Sequence, residues 1–240
     1  MQPLIWFLVS FTGGVTASIA GFGIGSLLTP ALATRYSVGD AILAVSIPHA
    51  AATAIRCWRL RRSIDRRVLR GFGLASAVGG LIGAFALFQF EDQARLILAI
   101  LLLATGAAGL TGWNRRIEPS GKASTVLGAL SGVFGGLAGN QGGLRAAALM
   151  RFELTPASFV ATSTAVGLMV DAARLPVYLA RGSGRITELA IPIVIATAGV
   201  IAGTIAGEKV LLRLSRDHFT RIVSALIILL GLWLLVETLS

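Results

Sequence analysis

Cysteine, histidine, tyrosine and acidic side chains are all scarce in this chain. It has one Cys, two His, two Tyr and 11 Asp plus Glu in 240 residues, against 21 Lys plus Arg. A single cysteine, Cys57, allows no internal disulfide. Two histidines and one cysteine provide no recognisable ligand spacing, so neither a metal nor a cofactor is expected. "GFGIGS" at 21–26 imitates a dinucleotide loop, but no βαβ unit surrounds it. "GALSG" at 128–132 has the wrong spacing for a nucleophile elbow, and no His/Asp set accompanies it. Without a nucleophile–base pair an intramembrane enzyme is the least favoured class, and the chain is read as not an enzyme.

Charge is scarce too. Only 13% of residues are charged, 55% are hydrophobic, and the mean hydropathy is +0.81. A soluble domain of this length carries more charge and alternates it with apolar positions. Apolar blocks run instead over 4–34, 39–58, 68–90, 94–112, 123–150, 157–180, 188–207 and 218–238, joined by short links. Their lengths suit a bilayer. The opening "MQPLIWFLVSFTGG" has no basic n-region, and its apolar run outlasts a signal peptide, so it reads as part of the mature protein. The net charge of +10 is not spread as a nucleic-acid surface would be. Seven arginines fall between Arg56 and Arg70, in one link between apolar blocks, as the positive-inside rule requires of a cytoplasmic loop. Membrane lipid is the expected surrounding and nucleic acid is not a partner.

The chain repeats itself. "GGVTASIAGFGIGSLL" from Gly13 lies over "SGVFGGLAGNQGGLRA" from Ser131. In that register Gly14, Val15, Ala20, Gly21 and Gly25 meet Gly132, Val133, Ala138, Gly139 and Gly143, and Arg56 meets Arg174. After a short insertion "RLILAILLL" from Arg95 meets "RIVSALIIL" from Arg221. The expected fold is an all-α polytopic membrane protein of two homologous four-segment repeats, 1–113 and 123–240, joined by a cytoplasmic linker at 114–122. The first segment of each repeat is glycine-broken, either re-entrant or discontinuous. Re-entry makes the halves inverted and places the links at 59–70, 113–122 and 208–217 together in the cytoplasm. That arrangement puts more Lys and Arg inside than a parallel one does, and it is preferred.

"GLAGNQGGLR" at 136–145 sets amides and an arginine inside an apolar run. Backbone that leaves helical form at membrane depth must be buried in protein or line a cavity. A helix restarting after such a break presents free N–H groups that favour an anion. The site reading takes Gly21, Gly23 and Gly25 with Gly139, Asn140, Gln141 and Gly143, facing each other near mid-membrane, with Arg145 adding charge. Close helix packing is the competing reading, and it suits Gly79, Gly83, Gly199, Gly203 and Gly207. Thr162, Ser163 and Thr164 carry hydroxyls suited to an oxyanion; bonding back to their own helix carbonyls is equally open. Asp171 and Arg174 lie three apart on one helical face and can pair, with Arg174 as substrate ligand and Asp171 as a proton-coupling group. His49, in "SIPHAA", is a second proton-coupling candidate against the alternative of a helix–helix hydrogen bond. Arg56, near its segment's end, is expected to snorkel to the cytoplasmic surface.

The doubled glycine-rich segment, each copy followed by a small-residue helix and each half closed by an apolar helix, resembles the sulfite exporter TauE/SafE family. The pieces that carry it are "GGVTASIAGFGIGS", "SGVFGGLAGNQGG" and "VATSTAVGLMV". The chain departs from the family's triple-glycine run in both halves, and "VSIPHAA" stands where a Thr-Ser pair is common. The resemblance implies a multi-pass inner-membrane carrier of small anions, often sulfur oxyanions or organosulfonates. Alternating access at a midplane site between the repeats is the leading mechanism. An anion channel is the alternative. Which anion, its direction, and whether the protein is a homo-oligomer stay open.

Overall fold

The computed structural model describes residues 2–33, 35–36, 38–111, 121–137, 141–182 and 188–239. Within these, side chains at 2, 30, 33, 38–39, 42–43, 84–95, 97–98, 134–137, 141, 174–182 and 237–239 lie outside the description. The described residues form helices and no strand. In order these are α1 (Gln2–Ala20), α2 (Ile24–Ala33), α3 (Val38–Arg59), a 3-10 turn (Arg61–Ser63) and α4 (Arg66–Val68). A π-helical turn, Leu69–Gly73, leads into α5 (Leu74–Leu110). Then follow α6 (Lys122–Leu137), α7 (Gln141–Leu149), α8 (Pro156–Gly182), α9 (Ala190–Leu211) and α10 (Arg216–Leu239).

Helix is the form that satisfies backbone polar groups within a single apolar segment. Pro3–Ala20, Pro156–Ala173, Ala190–Leu211 and Arg216–Val236 are each long and apolar enough to cross a bilayer. Some hydroxyls inside such segments return to their own helix, Thr12 donating to the Leu8 carbonyl at 2.9 Å and Thr197 to that of Ile193 at 2.7 Å, while Ser18 crosses from α1 to the Thr204 carbonyl of α9 at 3.0 Å. Asp65 stops the basic link from fraying, since its carboxylate accepts from the N–H groups of Arg67 and Val68, each at 2.9 Å.

Two reversals shape the bundle. Between α1 and α2, Gly21 and Gly23 take φ of 79° and 131°, which other residues adopt only with strain. From there α2 retraces α1: Ile24 Cα would lie 3.3 Å from a Cβ on Gly13, and the Tyr36 and Trp6 ring centroids are 6.1 Å apart. The second reversal is inside α5. Straight, its 37 residues would reach about 55 Å. Yet Phe72, just before it, packs edge-on to Phe152 at 6.1 Å, and a Cβ on Gly109, near its end, would lie 2.8 Å from Met150 Cε. So α5 doubles back between an arm that packs on α6 and an arm that packs on α10. The sequence reading placed a link at 90–93; helical hydrogen bonding continues through it instead. Glu, Gln and Ala there are good helix formers and give no stop signal.

Glycines let backbones touch where the helices cross. A Cβ on Gly14 would run into the Val200 carbonyl, and one on Gly203 into that of Phe11, so α1 lies directly on α9. A Cβ on Gly132 would meet the Ser76 carbonyl, and one on Gly79 that of Ala129, so α6 lies as closely on the first arm of α5. Two apolar cores result. One gathers Phe72, Phe152, Phe159, Val166 and Phe219, and the other Trp6, Ile24, Leu28, Leu32 and Val200.

At one face, Arg59 at the end of α3 donates to Glu208 near the end of α9, Nη2 to Oε1 at 3.1 Å. Asp65 N–H, in the basic link, donates to Thr162 Oγ1 near the start of α8 at 2.9 Å. The ends of α3 and α9 and the start of α8 therefore share a side. On a Cys57→Ser background, Arg62→Cys and Leu212→Cys should both react with a membrane-impermeant maleimide from that one side. Labelling of the two from opposite sides would rule out this topology.

Candidate functional site

The hydroxyl triplet on α8 makes no back-bond to its own helix among the described contacts. Thr162, Ser163 and Thr164 are fully buried, and each reaches across to another element. Thr162 holds the basic link, as above. Ser163 Oγ accepts from Arg145 Nε of α7 at 3.1 Å and donates to the Gly21 carbonyl at 3.2 Å. Arg145 Nη2 also approaches that carbonyl, at 3.5 Å. Thr164 Oγ1 accepts from Arg56 Nε of α3 at 2.9 Å. The first glycine break, α3, α7 and α8 thus meet around two guanidinium groups.

Both arginines are interior. Arg56 is 3% exposed and Arg145 5%. The expected snorkelling of Arg56 does not occur: α8 supplies a buried hydroxyl within reach, and the side chain turns inward to it. The two cations are close enough to act on one another, and Asp171 is the carboxylate whose charge acts on Arg56. Arg56 Nη1 is buried and has no hydrogen-bond partner among the described residues, and neither has the hydroxyl of Thr53, one turn earlier on α3. Burying a guanidinium N–H unpaired is costly, typically by about 1–3 kcal/mol or more for a charged group. Among the described residues this region thus holds two buried cations, Arg56 and Arg145, a nearby carboxylate, Asp171, and an unpaired donor on Arg56.

His49 and Asp171 meet between α3 and α8. Nδ1 lies 2.8 Å from Asp171 Oδ2, a close contact whose alignment is not that of a good hydrogen bond. Arg56 and His49 are seven residues apart on α3, and Thr164 and Asp171 seven apart on α8. The two contacts are therefore rungs about 10 Å apart between antiparallel helices. Between them Gly167 leaves room for Arg145: a Cβ there would stand 3.1 Å from Nη2.

The remaining expected residues divide. Phe22, inside the first break, packs on Gly142 at the start of α7, which brings the first break against the helix that follows the second. Gly21 could not take a Cβ without reaching 2.9 Å from Ser163 Oγ, while Gly25 faces open space. Gly143 turns toward Leu102 and Leu230. Gly139 and Asn140 lie outside the described residues, as do the side chains of Gln141 and Arg174. Arg56, Thr53 and Gly167 were not singled out as site residues from the sequence. The repeat register was the available signal, since it sets them against Arg174, Asp171 and His49.

A chain whose described residues include four helices long and apolar enough to cross a bilayer, around buried cations, is a multi-pass membrane protein. Residues 6–234 match the family described as sulfite exporter TauE/SafE, so the chain belongs to that family of membrane transporters. No curated protein and no solved structure matched it.

Ser163 is the testable joint of the site. Ser163→Ala leaves the Gly21 carbonyl and Arg145 Nε each short of one partner, and should cost about 1–3 kcal/mol. The melting temperature of the purified protein should fall measurably, whereas Thr12→Ala, on an exposed back-bonded hydroxyl, should leave it within error. Equal melting of the two variants would mean that the Ser163 contacts contribute nothing.

Proposed function

We propose that this protein is a secondary carrier of a small anion, a sulfur oxyanion or organosulfonate, in a bacterial inner membrane. It works by alternating access at a site between two inverted repeats, 1–113 and 123–240. The observation that carries this reading is the pair of buried guanidinium groups, one with an N–H left unpaired. An oxyanion presents two oxygens to a guanidinium fork, and it offsets the charge that the interior lacks.

Inverted repeats are supported by the packing. In the repeat register α3 and α8 are equivalent helices, yet they run antiparallel against each other. Contacts across them join residues whose numbers sum to 220, both for Arg56 with Thr164 and for His49 with Asp171. A twofold relation then passes near Ala51 and Met169. Close crossings obey the same relation: α1 packs on α9 as α6 packs on the first arm of α5, with Gly14 and Gly132 in equivalent places. By that symmetry Arg174 stands opposite Ser46, as far to the outer side of the centre as Arg56 stands to the inner.

The carrier's ligands are then Arg145, Ser163, Thr164 and Arg56 on the inner side, with Thr162 at the mouth. Arg174 serves the outer side. Gly21, Gly23 and Gly25 form the first break, and Gly139, Asn140, Gln141 and Gly143 the second. Each break gives N–H groups of a restarting helix to the anion.

A thermal-shift screen of purified protein against sulfite, sulfate, thiosulfate and simple sulfonates identifies the ligand class, because a ligand of the folded state raises the melting temperature. Arg145→Lys keeps the charge and loses the planar fork. Its affinity for the stabilising anion should fall about tenfold or more while membrane insertion survives. Unchanged affinity in both Arg145→Lys and Arg56→Lys would mean that neither guanidinium binds the anion.

A further inference from the structure

His49 and Asp171 are where the molecule keeps a titratable pair away from water-facing loops. His49 is on the first repeat and Asp171 on the second, with side chains 26% and 16% exposed and 2.8 Å apart. The pair lies two residues from the twofold centre on each helix, about 3 Å along the axis. Arg56 and Thr164 form the next rung toward the basic link, about 10 Å away.

We propose that His49 and Asp171 together form one proton-binding site at the centre of the carrier, filled when the anion is bound, so that a proton crosses with each anion. This rests on the carrier reading above. The charges facing the pair come from few elements. Among the described side chains they are Arg56 two turns on along α3, Asp40 near its start, and Arg145 on α7; the side chains of Arg174 on α8 and of Glu91, Asp92 and Arg95 on α5 lie outside the description. Helices α1 and α2 carry no titratable side chain, and Tyr36 follows α2 at the far end against Trp6. On α9, Glu208 is engaged with Arg59 at the basic face.

The sign follows from this set. With no anion, the two buried guanidinium groups of Arg56 and Arg145 leave this part of the interior positive. A bound anion cancels part of that field, and the pair takes up one proton, giving an imidazolium beside a carboxylate. Linkage is reciprocal, so a lower pH must tighten anion binding. The two members sit on opposite repeats, so any rocking of one repeat against the other changes their contact. Placed at the centre, they face whichever side is open.

The test uses the purified full chain with a sulfonate or thiosulfate, neither of which titrates near neutrality. In weakly buffered solution, saturating anion should draw one proton per protein from the medium. Affinity should strengthen as pH falls, by up to about tenfold per pH unit where the site titrates. His49→Gln and Asp171→Asn should each remove both the proton uptake and the pH slope. In liposomes they should also abolish the stimulation of uptake by an acid exterior.

A ligand-free arm uses 15N-histidine with His218→Gln, so that His49 gives the remaining histidine signal. Asp171→Asn should shift its Nδ1 resonance. Anion binding without proton uptake overturns the proposal and leaves the carrier intact, and so does an Nδ1 signal indifferent to Asp171→Asn. Failure of every anion to bind, with the Nδ1 signal still tied to Asp171, instead removes the carrier reading and the anion-linked proton with it.

Discussion

One hydrogen-bonded junction holds together the parts that a membrane interior most resists. At Gly21 the backbone leaves helical form among apolar side chains, and its carbonyl has no partner in its own helix. Ser163 and Arg145 supply the partners, from α8 and α7 respectively. Arg145 in turn is held by Ser163, so the broken backbone and the buried cation each supply what the other lacks. Neither is tolerable alone, because an unpaired carbonyl and an unpaired guanidinium are both expensive in low dielectric. The junction also fixes where α7 and α8 stand relative to α1 and α2.

The rest of the fold can be understood as keeping this junction closed to lipid. The glycine crossings of α1 on α9 and of α6 on α5 bring helices close without bulky side chains. Lipid offers no hydrophobic drive between helices, so van der Waals contact at short range does that work. Apolar cores on either side, around Phe72 and Phe152 and around Trp6 and Leu28, fill the remaining space. At the basic face, the Arg59–Glu208 pair and the Asp65–Thr162 hydrogen bond tie the end of α3 and the basic link to α9 and α8. Arg56 lies three residues before the end of α3, toward that same face.

Much of the architecture was legible in the sequence because bilayers impose simple rules. The block read at 157–180 is α8 at 156–182, and that read at 218–238 is α10 at 216–239. The reversal inside the first long apolar block, at Gly21 and Gly23, was signalled by glycines that have no other use at that depth. What the sequence obscured was direction within a helix. Arg56 near a segment end looks like a snorkelling residue, and only the position of Thr164 on another helix turns it inward. Thr53 and Gly167 carry no local signal at all, because an unpaired hydroxyl and a space for a guanidinium are properties of a packed interface. The α5 reversal was read as a link at 90–93 between two apolar blocks; what escaped was that helical hydrogen bonding continues through it, because its residues favour helix.

Buried charge explains why such an interior suits an exchangeable ligand better than a permanent partner. A second carboxylate at the Arg56–Arg145 site would pair with the cations permanently and leave no donor for a ligand. Leaving Arg56 Nη1 without a partner among the described residues strains the empty state, and an anion that reached it would relieve that strain. The strain is modest, because Thr164, Ser163 and the Gly21 carbonyl already supply several contacts. For the carrier proposed above that balance matters, because an anion held too tightly would not leave and one held too weakly would not be captured.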